Sequence, residues 1–183
     1  MWYLIFLSLL SALPLHKVFP IGLCPSIFTT LIVFLGAYCI CMKTKSLVIK
    51  RTVKGIMLYL IGASLYVIIE LLFRGFSHYS MYFLGGLCFL LIGLINEITD
   101  ISITSQMIIS AVIITTLELI SGYIVNIYLG LNVWDYSNMP YNFNGQICLL
   151  FFNAWILLSL VGIVVDDIIR HILFKENMVK YRL

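Results

Sequence analysis

Charge is what this sequence has least of. Its 8 Asp+Glu and 11 Lys+Arg make up 10% of 183 residues, where a soluble domain carries roughly 25%. That scarcity excludes a water-soluble globule. It also excludes disorder, which needs low hydrophobicity, and nucleic-acid recognition, which needs a clustered basic surface. Neither a CxxC pair nor a Cys/His cluster at zinc spacing occurs, so Cys24, Cys39, Cys41, Cys88 and Cys148 read as small packing residues. No metal and no other cofactor is expected. No Gly-x-x-x-x-Gly-Lys-Ser/Thr phosphate loop is present either, so any nucleotide hydrolysis belongs to a separate chain. The first lysine, Lys17, follows the first apolar run, which leaves no basic n-region for a signal peptide and points to a retained first segment.

What is abundant is hydrophobicity, at 62% of residues. A membrane barrel would alternate apolar with polar over stretches of about ten residues. The runs here are continuous, which predicts an all-α, polytopic transmembrane helical bundle forming one integral-membrane domain over 1–183. Candidate spans lie at 2–14, 22–42, 55–73, 79–97, 102–128 and about 145–165. The first is short for a bilayer of about 30 Å at about 1.5 Å per residue, so the count is six spans, or five if 2–14 does not cross. Basic residues set the orientation. Five Lys/Arg between 43 and 54 and four in the tail (Arg170, Lys175, Lys180, Arg182) would face the cytoplasm, against Lys17 and Arg74 outside. Both termini are then cytoplasmic, and the chain belongs in the plasma or inner membrane. Gly55/Gly62 and Gly86/Gly93, each seven apart, are placed for close helix packing.

Few polar residues interrupt the spans, and each costs free energy in lipid. Glu118 lies within Ile113-Ile114-Thr115-Thr116-Leu117-Glu118-Leu119-Ile120 with no basic residue in its span. Its depth is similar to that of Asn153 on the last span. The pair reads either as a structural hydrogen bond to a protonated carboxyl or as part of a substrate or proton path. Glu70, Arg74 and His78 are spaced four and four. Glu70 and Arg74 suit a helical ion pair, although Gly75 is placed to end the helix before His78. Asp166, Asp167 and Glu176 read as tail residues, and Glu97 and Asp100 as part of a turn. No residue is assigned a catalytic role.

The stretch Val133-Trp134-Asp135-Tyr136-Ser137-Asn138-Met139-Pro140-Tyr141-Asn142-Phe143-Asn144-Gly145 combines interfacial aromatics with turn formers. It predicts a defined re-entrant or interfacial turn, with Asn144 as N-cap of the last helix. The halves of the chain also echo one another. Glu70, Tyr79-Ser80 and Gly85-Gly86-Leu87-Cys88 parallel Glu118, Tyr136-Ser137 and Gly145-Gln146-Ile147-Cys148, an order that would suit a parallel repeat with a site at its interface.

Two family resemblances rest on these residues. Ile69-Glu70-Leu71-Leu72-Phe73-Arg74-Gly75 is similar to the EExxxRG motif of the CAAX-processing intramembrane proteases. Ile69 replaces the first glutamate, however, and the downstream FxxxH motif is missing. More extensively, over about 55–165, the chain resembles the CmpB-type family, labelled ABC-transporter type IV or ABC transporter permease. The matching blocks are Phe73-Arg74-Gly75-Phe76-Ser77-His78-Tyr79-Ser80-Met81 with Gly85 to Glu97, and Glu118-Leu119-Ile120-Ser121-Gly122 with Trp134-Asp135-Tyr136-Ser137 and Gly145 to Leu149. Related vertebrate transmembrane proteins share Trp-Asp-Tyr-Ser. Many members have Glu at the position of Leu150 and Trp at that of Tyr79, and the first departure bears against a mechanism needing a carboxylate there.

The resemblance implies a transport permease component of unspecified substrate, embedded in lipid and served by a separate ATPase or another membrane subunit, with oligomerisation open. Its candidate polar site is Glu118, Asn153, Glu70, Arg74 and His78, and its loop motif is Trp134, Asp135, Tyr136, Ser137, Asn144 and Gly145. Two alternatives stand beside it. One is a non-transporting scaffold whose 134–145 loop docks a partner. The other is an intramembrane enzyme using Glu70 and His78, less favoured than a non-enzymatic role.

Overall fold

The structure is a computed structural model that describes residues 23–178, 181 and 182; the candidate span 2–14 lies outside them. Five α-helices follow one another: α1 (Leu23–Lys43), α2 (Leu47–Arg74), α3 (Tyr79–Ile98), α4 (Ile103–Gly122) and α5 (Leu149–Phe174). A π-helical turn, Tyr123–Tyr128, extends α4, and a small hairpin of β1 (Asn142–Phe143) and β2 (Ile147–Cys148) precedes α5. Among the described residues, α2, α3, α4 with its π turn and α5 are long and apolar enough to cross a membrane, while α1 carries the shorter apolar stretch Thr30–Cys41. The described residues therefore form a helical bundle with four candidate spans.

Helix ends explain the boundaries. Gly75, at φ 77°, ends α2 by donating its N–H to Leu71, a left-handed cap that a residue with a Cβ adopts only at a cost. His78 opens α3 by accepting from Ser80 N, and Ser102 opens α4 by accepting from Ser105 N. Two boundaries differ from expectation. The basic stretch 43–54 is a loop only at 44–46, because Lys50, Arg51 and Lys54 form the first turns of α2. The last helix runs nine residues past the expected 165 to Phe174, which brings Asp166, Asp167 and Arg170 inside it. Arg170 lies four residues after Asp166 and pairs with it, so the charge run continues the helix instead of ending it.

The helices pack as neighbours in chain order, with α3 also against α5. Small residues allow the close approaches. A Cβ at Gly62 would strike the Phe89 ring, one at Gly85 would strike Tyr66, and one at Gly86 would strike Tyr59. Gly86 and Gly93, seven apart, serve different partners. Gly86 faces α2, whereas Gly93 sits against the Asp166 carboxyl of α5. The two ends of the bundle are chemically distinct. One, the loop end, carries the 129–148 segment. The other, the tail end, carries the 44–46 and 99–102 turns and the last described residues, where Ile103 N donates to Arg182 O.

Candidate functional site

The π turn reshapes the loop end. An extra residue in the helical turn changes the face on which its side chains lie, and here Asn126 is buried. It donates to Trp134 O and to Gln146 Oε1 and accepts from Val133 N at 2.7 Å. Trp134 is buried as well, with its indole N–H donating to Gln146 O. This network fastens the loop to the bundle. It was missed in the sequence, where a lone Asn in Tyr123-Ile124-Val125-Asn126-Ile127-Tyr128 was the available signal.

The hairpin turn sits above it. Asn144 and Gly145 have φ of 50° and 68°. A Cβ on Gly145 would lie 2.6 Å from Asp135 Oδ1, so both conformation and space require glycine. Asp135 Oδ1 accepts from Ser137 N and Ser137 Oγ, and these bonds hold its carboxyl below the usual aspartate range. Asn144 does not cap the last helix. Cys148 occupies the N-cap position, and Asn144 donates to Tyr123 Oη. The exposed tip belongs to Tyr141, 83% accessible, and Phe143.

Below the loop lies Glu118, 3% exposed. Its Oε1 accepts from Tyr136 Oη and its Oε2 from Trp155 Nε1, each at 2.9 Å. Among the described residues no basic side chain pairs with it. Burial and the neighbouring carboxylate push the Tyr136 phenol well above its ordinary range, so the hydroxyl remains a donor at any physiological pH. The expected Glu118–Asn153 pair does not form, because Asn153 lies on the exposed side of α5, two residues from the buried Trp155. Glu118, Tyr66, Phe89 and Trp155 line a cavity of about 210 Å³ between α2, α3, α4 and α5.

Glu70 forms the expected ion pair with Arg74, at 2.6 Å, and also accepts from Ser77 Oγ. Arg74 donates to Val133 O, which links α2 to the loop. His78 lies beyond the Gly75 cap, with its Nδ1 engaged by Ser80 and its ring 3.9 Å from that of Tyr79. Burial and nearby Arg74 lower its pKa. Glu70 and His78 thus serve separate helix ends. The internal echo also diverges in structure: Gly85 is in the middle of α3, whereas Gly145 is in a turn. Leu150, in the first turn of α5, is exposed.

A charged cluster at the tail end was set aside in the sequence as tail and turn. Arg170 binds Asp166 at 2.5 Å and Glu97 at 2.7 Å, while Lys54 binds Glu97 and Glu176 at 3.1 and 3.0 Å. Asn96 and Tyr181 both donate to Asp167. Helices α2, α3 and α5 and the tail are joined there. The signal was the spacing Asp166 to Arg170, hidden by placing the helix end too early. No group of His, Cys, Asp and Glu among the described residues is arranged to hold a metal ion.

The family described as "Putative ABC-transporter type IV" (CmpB) matches residues 33–181, a longer stretch than 55–165, and the chain belongs to that family. No curated protein and no solved structure matches it.

Proposed function

We propose that this family member is the membrane-embedded permease component of a transport system, with Glu118 at its substrate site and a separate ATPase as its energy source. The observation that carries this reading is a buried carboxylate with no cationic partner among the described residues, at the wall of a cavity within the membrane spans. Intramembrane carboxylates of this kind face cavities where a substrate or ion passes. The lack of a phosphate loop in this sequence supports a separate chain as the site of nucleotide hydrolysis. Positive-inside bias supports a cytoplasmic 43–54 stretch and C-terminal tail with either six spans or five, six spans putting both termini inside the cell membrane, so the tail end, with its Arg170 and Lys54 network, would meet the ATPase.

The experiment is affinity purification of the full chain from its native membrane, followed by ATP-driven flux in proteoliposomes. An ATP-binding subunit should co-purify, and Glu118→Gln should abolish flux while the complex stays assembled. Assembly without any nucleotide-binding subunit would overturn the reading.

A scaffold function has one observation in its favour: both Glu118 oxygens are bonded to Tyr136 and Trp155, as in a structural joint. Trp134 is turned inward, so docking in that reading belongs to the exposed Tyr141 and Phe143. Loss of a co-purifying protein in Tyr141→Ala, with flux never detected, favours the scaffold.

A further inference from the structure

We infer that the cavity beside Glu118 binds amphiphilic alkylammonium cations that enter from the bilayer. The inference rests on the transport reading for its choice of site and names the ligand class that the site would take.

The entrance is lateral. Every residue lining the cavity belongs to a membrane-spanning helix, with α2 and α5 forming its sides and α3 and α4 closing it behind. Ile69 on α2 and Val161 on α5, at its edges, are 40% and 55% exposed, and at that level the surface meets lipid rather than water. Glu118 is ten residues from Tyr128, a depth of roughly 15 Å at 1.5 Å per residue and close to the middle of a bilayer. A ligand reaching it from the side must first dissolve in hydrocarbon.

The lining selects the ligand's two parts. Aliphatic side chains and glycines make up most of the wall, which suits an alkyl chain. At the inner wall, Glu118 is bonded by the neutral donors Tyr136 and Trp155 and has no cationic partner among the described residues, so an ionised carboxylate there lacks the counter-charge that an ammonium group would bring. The aromatic rings of Tyr66 and Trp155 both line the cavity, with centroids 6.3 Å apart and tilted 34°. A carboxylate beside aromatic faces is the chemistry that recognises ammonium groups. A hard metal cation would need six or more oxygen ligands, and one carboxylate does not provide them. A fatty anion would be repelled by Glu118, and a neutral chain would leave its charge uncompensated.

The test uses the purified full chain in nanodiscs of phosphatidylethanolamine and phosphatidylglycerol, which contain no choline headgroup. Radiolabelled decyltrimethylammonium is the probe, with empty discs as the blank. Saturable binding is expected, at least tenfold weaker in Glu118→Gln and not displaced by decanoate or decanol. In the Gln variant, Oε1 accepts from Trp155 and Nε2 donates to Tyr136, so the packing has a way to persist. Gly162→Leu is the second variant. A Cβ there meets Ile92 only at ordinary contact distance, 3.7 Å, and Gly162 lines the cavity, so the longer side chain would take up part of the ligand's space. It should abolish binding even if Glu118→Gln misfolds. Unsaturable uptake, wild-type binding in either folded variant, or equal displacement by decanoate would overturn the inference. Binding without any ATP-driven flux would instead count against the transport reading, and flux of another substrate without binding would count against this ligand alone.

Discussion

Replacing Tyr136 by Phe removes one hydroxyl and leaves the ring in place, stacked on Phe151 at 4.6 Å and 21°. The variant therefore isolates the bond from Tyr136 to Glu118 Oε1. Interhelical hydrogen bonds in membrane bundles contribute about 0.6 kcal/mol on average and up to about 1.7. Here the acceptor is a buried carboxylate, and the deletion leaves one of its oxygens without this donor, so a loss in the upper half of that range, about 1–1.7 kcal/mol, is expected. For a chain of this length that corresponds to a melting shift of about 2–7 °C. The assay is thermal unfolding of the purified protein in one detergent, repeated in a Glu118→Ala background where the hydroxyl has lost its acceptor. There the Phe substitution should cost almost nothing. A shift of under about 1 °C in the wild-type background, or equal shifts in both, would refute the idea that Glu118 fastens the loop.

Gly93→Val would drive a branched side chain into the Asp166 carboxyl, so the α3–α5 approach should loosen at a cost of about 1–3 kcal/mol in the same melting assay, whereas Gly36→Val, in open space, should cost far less. Arg170→Gln leaves Asp166 and Glu97 without their shared cation and should destabilise by about 3–5 kcal/mol, with Asp166→Asn in the same chain recovering part of the loss. The pKa of His78 is lowered by burial and Arg74, and its Nδ1 must be unprotonated to accept from Ser80 N. Because the folded pKa lies below the unfolded one, its contribution is complete at neutral pH and is lost as pH falls below about 6.5. Hydrogen exchange at the start of α3 should then accelerate on acidification in wild type and show no such pH response in His78→Asn.

The helical bundle was legible because its cause is local: a run of apolar residues in lipid must satisfy its own backbone, and helices do so. The Glu70–Arg74 pair was legible for the same reason, since both residues share one helix face. What failed was whatever depended on helix phase or length. Asn153 matched Glu118 in depth, but depth does not fix azimuth, and Trp155 two residues on faces the carboxylate instead. Asp166, Asp167 and Arg170 were assigned to a tail because charge was taken to end the span, whereas Arg170 is paired within the helix and by Glu97 from α3. Asn126 became central through a π turn, and nothing in the local composition announces one. The loop motif forms a turn closed by the β1–β2 hairpin, and Trp134 anchors it from within.

Whether Glu118 can be reached from the bilayer is measured by its reaction with dicyclohexylcarbodiimide. This apolar reagent adds covalently to carboxyl groups accessible from hydrocarbon, and peptide mass spectrometry locates the adduct. Modification is expected at Glu118, suppressed by Gly162→Leu, with Asp166, 1% exposed and closed in against Gly93, left unmodified. An unreacted Glu118, in a sample whose exposed carboxyls have reacted, would contradict a membrane-facing site.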